Sequence, residues 1–267
     1  MGKTLPELML LLAKVMGEVY EGSATSLGTS LVFTDTNNLE STERYEGGTV
    51  WLTSGTYSGE VRRVATFSNG EITVDAAFTG AVASAVTYAI ADKIFPKYAL
   101  KQALNWILDT ADLLKFDTTL TVDGGDVYSL PTGVRNIKRV EIAASSSEPY
   151  QYDINTKWKE QSGTLVFLPG GEPSDTGAVI RLSYVGKHGT IDETGANDEV
   201  NDAIDINWLL WSAASYLWRR RLQVIKKDDP TAVEMLNEAK TNEARALMEA
   251  NKYSMRIMRK DQITARW

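Results

Sequence analysis

The sequence predicts an α+β fold: a helical bundle with an antiparallel β region and an inserted small β module, followed by C-terminal helices and an extended tail. Three observations predict it. Apolar residues recur at three- and four-residue steps near residues 5–19, 100–114 and 200–218. Short β-rich runs separated by turn residues fill 31–90 and 118–185. The closing residues 255–267 mix large apolar and cationic side chains without a clear period. The implied segments are 1–23 and 93–115 for the N-terminal helices of the bundle, 24–92 for the inserted module and 116–190 for the second β region. The C-terminal helices take 191–253 and the tail 254–267.

Thr4-Leu5-Pro6-Glu7 reads as a capping box, and Leu5, Leu8, Met9, Leu12, Val15, Met16 and Val19 form one stripe, so the first helix is expected over about 5–20. Strand-like runs follow at 30–33, 48–53, 60–67, 71–75 and 86–90. Asn69-Gly70 marks a hairpin, because a type I′ turn needs positive φ at both central residues. From Pro96, Leu100, Leu104, Ile107, Ala111 and Leu114 trace a second helix whose face Trp106 and Leu113 widen. Further strands are expected at 118–122, 127–130, 137–142, 164–168 and 179–185, punctuated by Gly124-Gly125, Pro131 and Pro169-Gly170-Gly171. Residues 200–218 are apolar around almost the whole circumference, including Trp208, Trp211 and Trp218, so several neighbours must cover this helix. Asp229-Pro230 supplies an N-cap and a first-turn proline for a last helix to about Tyr253, with Val233, Leu236, Ala244 and Leu247 marking its buried face.

Composition narrows the function. With 267 residues, 43% hydrophobic and 24% charged, the chain reads as an ordinary globular protein of one or two domains. It has no cysteine, which excludes disulfides, thiolate zinc sites and cysteine nucleophiles, and one histidine, His188. The apolar run Leu8 to Ala13 is too short for a signal segment or membrane span. Net charge is −7, but residues 219–267 carry +5 and residues 1–218 carry −12. A cationic end on an acidic body implies two different surfaces.

Each chemistry-bearing cluster has a plainer structural reading. Asp192, Glu193, Asp198, Glu199, Asp202 and Asp205 do not fit an EF-hand and read as a loop and a helix start. Asp123-Gly124-Gly125-Asp126 reads as a turn rather than a glycosidase pair. His188 lacks a nucleophile elbow or a second histidine. The glycine-bearing loops at 55–59 and 170–171 lack the lysine and hydroxyl of a P-loop. Arg219-Arg220-Arg221 with Lys226-Lys227 could meet phosphates, but an acidic body repels a duplex wrapping it, so tight DNA binding is not expected. No catalytic residue, metal ligand or cofactor is assigned. The tail residues Tyr253, Met255, Arg256, Ile257, Met258, Arg259, Lys260, Ile263, Arg266 and Trp267 combine the aromatic, methionine and arginine side chains enriched in interface cores, which marks them as partner-binding.

The order of elements, with the stretches Tyr98–Leu114 (YALKQALNWILDTADLL), Val127–Ile142 (VYSLPTGVRNIKRVEI), Leu165–Val185 and the final helices, resembles the head-to-tail adaptor (connector) proteins of tailed bacteriophages. The resemblance spans most of 95–267; residues 47–90 depart from the minimal plan and look like a small β module of phage structural proteins. It implies a non-enzymatic protein of the virion neck, made in the host cytoplasm. Such proteins form a homo-oligomeric ring, usually of twelve copies, with helices as the wall and β elements toward a tail or nozzle protein. The C-terminal segment then docks on the portal protein, and genomic DNA passes through the lumen without tight binding. No membrane is involved. Trp208, Trp211 and Trp218 are expected at the subunit interface, since packing between neighbours would cover a helix apolar on all sides. Two other classes compete: a virion binding module using Trp51, Tyr57 and Phe67 of the β insert to recognise a tail protein or a glycan, and a glycan hydrolase acting through an acidic pair.

Overall fold

A computed structural model of the chain describes residues 3–17, 19–38, 40, 42–145, 148–193, 199–200, 204–225 and 229–264. In chain order its elements begin with α1 (Leu5–Val15), β1 (Val19–Ser23), β2 (Val32–Thr34), α2 (Thr42–Tyr45), β3 (Thr49–Leu52), β4 (Val61–Ser68), β5 (Glu71–Val74) and β6 (Thr87–Ala91). There follow α3 (Lys97–Thr110), β7 (Asp112–Thr121), β8 (Val127–Ser129), β9 (Ile137–Ser145), β10 (Glu148–Asn155), β11 (Trp158–Gln161), β12 (Thr164–Phe167) and β13 (Val179–Lys187). The chain closes with α4 (Ile206–Arg220), a π-helical turn at Arg221–Ile225, and α5 (Pro230–Thr264). Two compact units result: Met1–Asp109 with Gly189–Trp267, and Thr110–His188.

The architecture is mostly β, with thirteen strands in three antiparallel sheets among the described residues. This corrects the expected helical bundle with a small β module. The reason lies at the end of α1. Gly17 adopts φ +79°, which stops the helix, and the chain turns directly into β1. Val19, expected on the helical stripe, pairs instead with Ala91 of β6. The stretch read as an insertion thereby joins a six-stranded sheet of order β1-β6-β3-β4-β5-β2. The extended tail is corrected as well, since α5 continues as helix to Thr264.

Inside the first unit, the sheet is buried on both sides at β3, all four of whose residues are inaccessible. Val50 and Leu52 join Phe33, Val64, Phe67, Ile72, Tyr88 and Ile90 in one core, while Trp51 points to the opposite face. The β4–β5 hairpin turns on Asn69 (φ 48°) and Gly70 (φ 79°), as the dipeptide requires. A polar cluster is enclosed here: Tyr88 Oη donates to Asp35 Oδ2 at 3.0 Å and accepts from Asn38 Nδ2 at 3.2 Å.

Tyr45 is also buried, its ring edge-on to Phe67 at 5.0 Å, and its hydroxyl finds no hydrogen-bond partner. Burial pushes its phenol up from 10.0 to about 12, and burial pushes Tyr88 up further. A raised phenol means the folded state holds the proton more tightly than the unfolded state. The stability due to neutral Tyr45 is therefore complete below pH 10 and is lost as pH rises toward about 12. Urea midpoints measured from pH 9 upward are expected to fall through that window. Tyr45→Phe should flatten part of the decline, Tyr88 keeping the remainder, and should stabilise the protein at neutral pH by up to about 1 kcal/mol.

In the second unit, a four-stranded sheet of order β10-β9-β13-β7 and a three-stranded sheet of order β11-β12-β8 share a core of Val140, Leu165, Phe167, Ile180 and Leu182. The helix expected to run through Leu114 ends at Thr110. Leu113 and Leu114 enter β7, paired with Gly186 and Val185. Strands β10 and β11 were not expected: β11 holds one apolar residue, Trp158, in four, while β10 carries a period-2 signal in Tyr150, Tyr152 and Ile154 between polar residues. Glu141 of β9 is buried between Arg139 and Arg181, and the Arg181 guanidinium lies 4.0 Å from the Tyr152 ring centre, so the carboxylate is paired rather than stranded.

Candidate functional site

The helices of the first unit hold most of the residues singled out for partner contact. Asp205 starts α4 by accepting from the Trp208 amide at 2.8 Å. The helix then packs on α1 and α5, which accounts for apolar residues on almost every side. Trp218 is buried by its own chain, edge-on to Phe95 with ring centres 4.8 Å apart. Trp208 and Trp211 are half-buried.

Asp229 is the joint between α4 and α5. Its carboxylate accepts from the Ala232 amide at 3.3 Å, capping α5, and from Arg221 at 3.2 Å across the π-helical turn. Asp229→Ala is expected to cost about 2 kcal/mol in urea unfolding, and Asp229→Asn, which keeps a capping oxygen but not the charge, about half of that.

On α5 the expected buried face is rotated. Ala232, Leu236, Ala239 and Ala246 are buried, whereas Val233 and Leu247 are each 45% exposed, Ala244 is exposed, and Met248 is 61% exposed. The physical reason is close approach. Ala232, Ala239 and Ala246, at seven-residue spacing, lie on the buried side of a helix that packs on α4, where Ser212 Oγ donates to Glu243 Oε1 at 3.1 Å. The larger side chains are left on the outside.

The signal missed in the sequence is on α3. Leu100, Ala103, Leu104 and Leu108 make its buried stripe. Trp106 sits about 200° around the helix from Leu104 and is 57% exposed, stacked on Tyr216 of α4 with centres 5.9 Å apart and planes 23° apart. One turn away Arg220 Nη1 donates to Gln102 Oε1, and Tyr98 is exposed a turn beyond. The spacing of Tyr98, Gln102 and Trp106, set off from the leucine stripe, carries this signal in the sequence, and Trp106 does not widen the packed face as expected.

The acidic cluster is dispersed into structural roles. Glu193 pairs with Lys97 at 2.7 Å, Asp192 with Lys101 at 3.4 Å, Asp205 caps α4, and Glu199 bridges to Thr4 through the backbone. Asp198 and Asp202 lie outside the described residues. Among the described residues, no group of three or more acidic or histidine side chains is placed to hold a metal ion. Asp123 accepts from the Gly125 amide at 2.9 Å, and that bond holds its carboxyl below the usual range, opposite to what a general acid requires. Gly55, Gly59 and Gly170 all take positive φ, as turn residues do. Trp51 and Phe67 are buried and Tyr57 packs against the core, so these aromatics do not form a sugar-binding platform. No described helix is long and apolar enough to cross a membrane.

Of the basic run, Arg219 is exposed, Arg220 and Arg221 are engaged as above, and Lys226 and Lys227 lie outside the described residues. Tyr253, Met255, Arg256, Ile257, Met258, Arg259, Lys260 and Ile263 fall on the last turns of α5; Arg266 and Trp267 lie outside the described residues. With 35 residues α5 is about 52 Å long, against about 22 Å for the 15-residue α4. α4 therefore cannot cover α5 along its length. No protein-family model matches the chain, and no curated protein matches it.

Proposed function

We propose that the protein is a non-enzymatic structural adaptor of a tailed-phage neck, forming a homo-oligomeric ring between the capsid portal and the tail. The observation that supports this most is α5, a helix more than twice as long as α4, whose lysine and arginine residues are concentrated beyond residue 250, interleaved there with Tyr253, Met255, Ile257, Met258 and Ile263. Such an end suits a groove on a neighbouring ring, where methionine, aromatic and arginine anchors bind best. The surface that Trp208 and Trp211 retain then faces a neighbouring copy. The −12 of residues 1–218 favours passage of DNA over its retention, because a basic surface would exchange counterions for phosphates and hold the duplex.

The test is the mass of the native assembly, alone and with the portal protein of the same virus. The expected result is a closed oligomer, on its own or once portal rings are added. A chain that stays monomeric and unbound in both conditions would refute the adaptor reading.

A further inference from the structure

In the four-stranded sheet of the second unit, β7 lies at an end of the order β10-β9-β13-β7 and, among the described residues, is paired on one side alone, with β13. Strand edges in natural proteins are guarded by proline, by shortness or by a bulge. β7 has ten residues and no proline, and its bulge comes late, where Thr118 and Thr119 lie together opposite Arg181. The stretch from Asp112 to Asp117 is regular. Val185 of β13 donates its amide to the Asn136 carbonyl at 3.3 Å, on the side away from β7. Hydrogen-bonding direction alternates along a strand, so Leu114, opposite Val185, and Phe116, opposite Ser183, turn their amides and carbonyls to the open edge. Their side chains share one face and are 45% and 61% exposed. Lys115 and Asp117 occupy the other face, both half-buried. Among the described residues neither has an ion pair. Asp117 Oδ1 accepts from the Thr119 amide at 2.9 Å and from its hydroxyl at 2.7 Å, which leaves the carboxylate charge unanswered.

We infer that β7 pairs with β7 of a second copy, antiparallel about a two-fold axis at Phe116. The second copy is the occupant because this edge is complementary to its own reverse. With Phe116 opposite its counterpart, Lys115 of each copy faces Asp117 of the other, so two opposite-charge pairs form from one short stretch. They fall at non-hydrogen-bonded positions, where facing side chains come closest, while the two Phe116 residues exchange both backbone bonds. On the opposite face the two Phe116 rings meet, flanked by Leu114 of each copy against Thr118 of the other. Neighbouring registers lack this fit. An axis at Lys115 or at Asp117 sets like charges face to face, and an axis at Leu114 sets Lys115 against Leu113 and carries Asp117 past the start of the facing strand. A two-fold contact joins two copies and cannot by itself be repeated around a ring. The inference therefore goes beyond the adaptor reading and does not depend on it.

The chain has no cysteine, so a single introduced thiol reports the contact. Facing residues of a hydrogen-bonded pair lie about 5.5 Å apart at Cα, within the range a disulfide takes. Full-length Phe116→Cys, mildly oxidised, is expected to give a covalent dimer at protein concentrations where Val127→Cys, exposed on β8, gives none. Lys115→Glu added to the Phe116→Cys chain should lower linking about tenfold, because two attractive pairs become repulsive. Lys115→Arg should preserve linking, and Asp117→Asn, which keeps an oxygen for Thr119 but not the charge, should weaken it less than Lys115→Glu does. No dimer through position 116, an equal yield through position 127, or linking indifferent to Lys115→Glu would each overturn the inference. Native mass separates it from the adaptor reading. A ring whose Phe116→Cys chains fail to link overturns this contact and leaves the adaptor standing, whereas a linked pair that forms no ring supports the contact and counts against the adaptor.

Discussion

A chain shortened to end at residue 252 is expected to fold normally and to lose binding to the portal protein by about two orders of magnitude or more. Ala232, Leu236, Ala239 and Ala246 are the buried positions of α5 among its described side chains, which run to residue 250, and all four are kept in the shortened chain. Far-ultraviolet ellipticity should fall only by the share of the deleted helical turns, and the melting temperature should barely move. Tyr253, Met255, Ile257, Met258 and Ile263, interleaved with Arg256, Arg259 and Lys260, would supply the apolar and charge-assisted contacts of docking. Surface plasmon resonance on immobilised portal rings reads the loss. Undiminished binding would show that α5 does not carry the partner contact, and a large drop in stability would show that its end belongs to the core. A milder pair, Arg256→Glu with Arg259→Glu, should weaken binding and also flatten its dependence on salt, since two cations leave the contact.

The second large effect is on stability. Trp51→Ala is expected to cost about 3–5 kcal/mol and to lower the melting temperature by about 10 °C or more. Trp51 is 2% exposed on the central strand β3, paired with Val61 on one side and Ala89 on the other, both also buried. Truncation would leave a cavity between neighbours whose backbones are fixed by the sheet. Its indole Nε1 has no hydrogen-bond partner, so Trp51→Phe removes volume without orphaning an acceptor and should cost much less. Trp106→Ala, on the exposed face of α3, should change unfolding by under about 1 kcal/mol. The same residue type therefore separates core from surface. Equal losses at positions 51 and 106 would contradict the burial on which both assignments depend.

Several elements were legible because their causes are local. The Asn69-Gly70 hairpin, the starts of α1 and α5 at Pro- or Asp-marked caps, and the strands β3, β4, β6, β12 and β13 each follow from turn chemistry, capping or apolar runs within a few residues, whereas the helix expected from Val200 begins only at Ile206, behind the Asp205 cap. The candidate surfaces were less so. Trp208, Trp211 and Trp218 share one helix and looked alike, yet Phe95, more than a hundred residues earlier, buries only Trp218. On α5 both Val233 and Ala232 belong to plausible apolar stripes about 100° apart, and packing on α4, where Ser212 bonds Glu243, selects the alanine side.

What the sequence by itself determined, then, is where chains turn and helices begin, and that a cationic apolar end follows an acidic body. Those are properties of dihedral preference, orphan backbone donors and charge, settled by near neighbours. Tertiary structure alone decided that Val19–Ser23 becomes a strand rather than a last helical turn, by offering the edge of β6 some seventy residues away. It also decided which side of α3 and α5 meets solvent. A strand edge and a helix face are both completed by partners distant in sequence, and the free energy of burial goes to whichever stripe that partner fits.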